Sequence, residues 1–181
     1  MELDVAANPG SFRDPAGKVY EATTPDGGHR ILRGLRADAL ADARALLGEA
    51  FFQGLLAQHK VLESAVLPSN SELARVPLAD GWAGVMEHAR VPFITYPYEW
   101  TFSMLKDAAL LQLECLETAL ESDWTMKDAT PFNIQWFGAK PVFIDIPSFM
   151  PWTEGEAWDV YSQLPKDLKR LWIEASRPGT T

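Results

Sequence analysis

TMKDATPFNIQWFGAKPVFIDIPSF, residues 125–149, carries more chemical information than the rest of the chain. Phe137-Gly138-Ala139-Lys140 lies between two largely apolar runs and reads as a hairpin turn, which predicts strands over 133–136 and 141–144. Asn133 stands five positions after Asp128, and Asp145 twelve after Asn133, at the end of the run PVFI. A hairpin folding back between them brings Asn133 and Asp145 to one edge, with Asp128 in the loop just before it.

These residue types suit phosphoryl transfer. A carboxylate at the position of Asp128 receives the proton of an acceptor hydroxyl, and Lys127 beside it can stabilise charge on the transferred group. The Asn133 carbonyl and the Asp145 carboxylate suit Mg²⁺, a hard cation that prefers oxygen and takes its remaining ligands from phosphates and water. The plain alternative is an ordinary hairpin, with Asn133 a turn former, Asp145 a cap and Lys127-Asp128 a solvated pair.

Working outward, 181 residues suffice for one ordinary domain or two small lobes. Hydrophobic residues make up 47% and charged residues 23%, the balance of a globular protein with a packed core. The net charge of −9 argues against binding nucleic acid or an anionic membrane. One cysteine, Cys115, excludes an intrachain disulfide and a cysteine-based zinc site. The first ten residues lack the pattern of a signal peptide, and no apolar run reaches membrane-spanning length, so a cytoplasmic location is expected.

Along the chain, turn signals at 14–17 and 25–28 predict strands over 18–22 and 29–35. Helical periodicity covers 38–65, with Leu40, Ala43, Leu47, Ala50, Phe51 and Leu55 on one face. Strands are expected at 74–78 and 83–89, a proline-punctuated hinge at 89–96, and a long helix at 98–121. The apolar positions of that helix are Phe102, Leu105, Ala109, Leu113, Leu116 and Leu120. The fold class is therefore α+β and two-lobed. A β-rich lobe with one long helix occupies 1–92, and a helical lobe with the Asp128/Asn133/Asp145 hairpin occupies 93–181. The first lobe offers Gly17 and Lys18 at a turn, and Arg33 with Glu49 as a possible pair, for the nucleotide phosphates. The aromatic run 93–102, FITYPYEWTF, reads as a hinge packed by large side chains or as a platform beside a ligand.

KDATPFN with the later FID resembles the catalytic loop and metal-binding segment of the protein kinase and aminoglycoside-phosphotransferase superfamily. YPYEWTFSMLKDAALLQLECLETAL with WTMKDATPFNIQW and PVFIDIPSF resembles, over about residues 9–161, the N-terminal part of bacterial class I SAM-dependent methyltransferases or nodulation-type proteins. The resemblance implies a kinase-like fold, with Asp128 as catalytic-loop residue and Asn133 and Asp145 as ligands of Mg²⁺ carrying ATP. It implies a phosphotransferase to a small-molecule or sugar-like hydroxyl, or a non-catalytic module that accompanies a methyltransferase. No Gly-rich SAM-binding turn is present. The segment 156–175, with Trp158, Tyr161, Leu164, Leu168, Leu171 and Trp172, is too short for a full helical subdomain. The second lobe is thus expected to be incomplete, with an apolar patch that implies self-association or a methyltransferase partner.

Overall fold

The computed structural model describes residues 3–9, 11, 15–128 and 130–153. The expectations for 156–175 lie outside the described residues. Those residues form two compact units. One takes the chain up to Glu49 and from Leu62 to Arg90; the other takes Ala50 to Val61 and the chain from Val91 on.

The first unit is built on a five-stranded antiparallel sheet, β1 (Asp4–Ala7), β2 (Gly17–Thr23), β3 (His29–Leu35), β4 (Ser64–Val66) and β5 (Gly84–His88), in the order β1-β2-β3-β5-β4. α1 (Ala37–Gly48) connects β3 to the rest of the chain. Strand alternation gives the sheet two apolar faces. Tyr20, Ala22, Leu32 and Val85 form a core on one face with Ala74 and the partly buried Trp82. Gly34 belongs to this face, and a Cβ there would lie 2.5 Å from the Trp82 ring. The other face presents Gly84, where a Cβ would lie 2.5 Å from Leu40 of α1. Glycine is required at both places because a neighbouring side chain occupies the space of its Cβ.

Two predicted elements are corrected. The helix over 38–65 is divided, because Glu49 is extended (φ −74°, ψ 135°) between α1 and α2 (Ala50–Ala57). It then stops at His59, whose left-handed φ of 55° closes a Schellman-type end with Lys60 N–H bonded to Leu55 O at 3.0 Å. The strand expected at 74–78 is helical, a 3₁₀ turn at Glu72–Ala74 running into α3 (Arg75–Ala79). Pro77 sits in the first turn of α3, where a helix needs no N–H from it, whereas a strand would lose a ladder bond. β1 and β4 were not foreseen; they are short and carry few β-branched residues.

The second unit contains α2, α4 (Phe102–Leu120), the pair β6 (Trp124–Met126) and β9 (Phe149–Pro151), and the hairpin β7 (Ile134–Phe137) and β8 (Lys140–Phe143). Its core is aromatic. Phe52, Phe143 and Phe149 meet edge to face at 5.5 and 5.8 Å between centroids, and Phe51 lies 6.2 Å from Trp124. Thr101 caps α4 by accepting a bond from Met104 N–H at 3.3 Å. The helix buries Ala108, Leu111, Gln112, Cys115, Leu116 and Ala119, so the predicted face is rotated and Phe102 and Leu120 are exposed. No helix among the described residues is long and apolar enough to cross a membrane.

His88 is buried on the α1 face of the sheet, beside its cross-strand partner Ser64, whose Oγ lies 2.8 Å from Nδ1. Burial first, and the charge of Arg33 second, push its pKa down from 6.5 to about 3. Above pH 6.5 both folded and unfolded chains hold a neutral imidazole. As pH falls below that, the unfolded chain takes a proton that the native chain refuses. Stability should then drop by about 1.4 kcal/mol per pH unit. Urea midpoints between pH 7.5 and 5 should show this decline in the wild type and its loss in His88→Gln; superimposable profiles would contradict it.

Candidate active site

The loop after β6 and the segment after β8 are joined at both ends. Lys127 N–H donates to Ser148 O at 2.8 Å, extending the β6–β9 pairing. Ile144 N–H donates to Asn133 O at 2.8 Å, extending the β7–β8 pairing. Lys127 and Asn133 therefore lie beside Ser148 and Ile144, respectively, within the second unit. Gly138, at φ 63°, makes the hairpin turn that permits this.

Within that frame each side chain has a local cause for its pose. Thr130 N–H donates to Asp128 Oδ1 at 3.1 Å, a local turn that holds the carboxylate and leaves its second oxygen for another partner. Asn133 Nδ2 donates to Asp128 O at 3.5 Å, which turns its amide oxygen away from that carbonyl. Asp145 precedes the 3₁₀ turn Ile146–Ser148, and its carbonyl accepts from Ser148 N–H at 2.9 Å. Asp128, Asn133 and Asp145 are each partly buried, and Lys127 is exposed. Ser148, almost fully buried, has no hydrogen-bond partner for its Oγ among the described residues.

Amide and carboxylate oxygens, the donor types of Asn133, Asp128 and Asp145, are ones that Mg²⁺ accepts. Among the described residues no group of three or more His, Cys, Asp and Glu side chains converges as a closed metal site would require. Cys115 is buried and its thiol pKa is pushed up to about 12, chiefly by burial, so it is not a reactive nucleophile.

The other expected site residues lie in the first unit. Gly17 and Lys18 are strand residues of β2, not loop residues. Gly17 is buried opposite Leu35, and the Lys18 ammonium is 6.0 Å from the Tyr20 ring centroid. Arg33 sits in the middle of β3 between Val19 and Met86. Glu49 follows α1, and its backbone N–H bonds Leu46 O.

Gln135 was not picked out in the sequence. Its buried amide accepts from Thr95 N–H and donates to Thr95 O, both at 2.9 Å, so one side chain pairs like a strand backbone. This fixes the start of the aromatic run to β7, two residues from Asn133. In that run only Trp100 is buried, 5.8 Å from Trp136, while Phe93 is 74% and Tyr98 76% exposed. A hinge packed by all its rings is therefore not what forms.

No family model matches the chain. The chain is similar to nodulation protein NoeA of Rhizobium meliloti (strain 1021), 34% identical over 157 residues, which make up 85% of this chain and 30% of NoeA. The chain thus spans a little under a third of the length of the curated relative it matches. These findings correct the resemblance drawn from KDATPFN and FID. They give no support for membership of the protein kinase and aminoglycoside-phosphotransferase superfamily, nor for a methyltransferase group. In its place stands a distant and partial similarity to NoeA.

The Gln135 contact makes a specific expectation. Gln135→Leu leaves the N–H and C=O of Thr95 without partners and should cost about 2–3 kcal/mol. Hydrogen exchange should show the Thr95 amide losing protection by about tenfold or more while the β7–β8 amides keep theirs. Unchanged protection at Thr95 would show that the amide pairing is not what holds this segment.

Proposed function

We propose that the edge formed by residues 127–133 and 144–148 binds the phosphates of a nucleotide, ATP in the simplest case, with Mg²⁺. On this reading the chain is a phosphotransferase acting on a hydroxyl of a small-molecule or sugar-like acceptor. The observation that supports the reading is the backbone pairing of Lys127 with Ser148 and of Ile144 with Asn133, which brings the chain around Asp128 and Asn133 beside the segment that carries Asp145. Asn133 and Asp145 would hold the cation, which when bound neutralises phosphate charge.

Asp128 accepts the proton of the acceptor hydroxyl. The hydroxyl oxygen forms its bond to the terminal phosphorus as the bond from that phosphorus to the nucleoside diphosphate oxygen breaks. Thr130 N–H, already bonded to Oδ1, keeps the carboxylate oriented for this step. Lys127 supplies a cation for charge on the transferred phosphoryl group.

A second reading is that this region binds nucleotide without turnover as part of a larger assembly. The two readings share the metal edge and differ at Asp128.

Thermal unfolding with and without Mg-ATP tests both. At about ten times Kd, ligand should raise the midpoint by roughly 3–5 °C. Asp145→Asn should remove most of that rise, because an amide is the poorer ligand. No shift at millimolar nucleotide would refute the site. Asp128→Ala should keep the shift and abolish phosphorylation of the acceptor. Equal loss of nucleotide binding in Asp128→Ala and Asn133→Ala would point to structural damage.

A further inference from the structure

α4 is apolar on two faces. At 100° per residue its buried residues, Ala108, Leu111, Gln112, Cys115, Leu116 and Ala119, form one face. Lys106, Leu110, Leu113 and Glu117, spaced by four, three and four residues, fall within about 60° of one another on the opposite face. Leu110 is 42% exposed and Leu113 partly so, and Phe102 and Leu120, at 67% and 40%, continue the apolar stripe to the helix ends. A helix face directed to solvent is ordinarily polar, so two leucines framed by opposite charges call for a partner.

We infer that this stripe is a self-association surface on which two copies of the chain pair their α4 helices antiparallel. The sequence order of its four residues selects that occupant. The midpoint between Lys106 and Glu117 coincides with that between Leu110 and Leu113. A two-fold axis through it places Lys106 against Glu117 of the second copy, twice, and Leu110 against Leu113 of the second copy, twice. An isologous contact needs this kind of self-complementarity. A parallel, in-register pairing would instead set Lys106 against Lys106 and Glu117 against Glu117, which charge repulsion disfavours. The stripe is independent of the proposed nucleotide edge, and none of its residues takes part there.

Sedimentation equilibrium of the full chain over roughly 10 µM to 1 mM reads the association directly, since one helix pair of about 28 Å makes a small and therefore weak interface. A monomer–dimer equilibrium is expected. Lys106→Glu and Glu117→Lys should each raise the dimer dissociation constant by about tenfold or more, and the double exchange should restore it. Leu110→Asp should abolish the dimer, while circular dichroism confirms that the helix remains. A chain monomeric throughout the range would overturn the proposal, whatever covers the stripe instead. So would a dimer indifferent to Lys106→Glu, or two disruptive single exchanges that the double exchange fails to repair.

Discussion

Two backbone hydrogen bonds, Lys127 N–H to Ser148 O and Ile144 N–H to Asn133 O, hold the candidate site together. Each continues a ladder already begun by a short strand pair, so neither has to order its segment alone. Between them they close residues 127–133 against 144–148 at both ends. The conformational entropy of the two segments that carry the candidate side chains is thereby lost in folding, not at the moment a ligand arrives.

The short strands persist because of what lies beneath them. β6, β8 and β9 contribute Trp124, Phe143 and Phe149 to an aromatic cluster completed by Phe51 and Phe52 of α2. Phe143 N–H also bonds Lys60 O at 2.9 Å, just past the left-handed close of α2. The break at Glu49 lets α2 belong to this cluster while α1 packs on the sheet of the first unit.

Much of this was legible because it depends on local chemistry. Phe137-Gly138-Ala139-Lys140 announces a hairpin through its turn residues, and a hairpin fixes that Asn133 and Asp145 share an end. The strands at β2, β3 and β5 followed from turn signals and apolar runs in the same way. What escaped depends on tertiary choice. α4 has two apolar stripes, and periodicity alone cannot say which one meets the core. Gln135 is a polar residue in a strand, and only the approach of Thr95 gives its amide a purpose. The helix at 75–79 was hidden because Val76 and Leu78 fit a strand as well as a helix, with Pro77 as the one dissenting residue. The wider family resemblance rested on short motifs, and short spaced motifs recur without common ancestry; the partial similarity to NoeA is what the whole chain sustains.

The central claim is that the two joined segments form one edge that takes a divalent cation together with nucleotide phosphates. Paramagnetic broadening of backbone amides by trace Mn²⁺ in the presence of ATP tests it most directly, since Mn²⁺ accepts the same oxygen ligands as Mg²⁺. The account predicts that amides of 127–133 and of 144–148 broaden together, at the same Mn²⁺ concentration, and recover when excess Mg²⁺ competes. Broadening confined to exposed acidic positions elsewhere, or confined to one of the two segments, would contradict it.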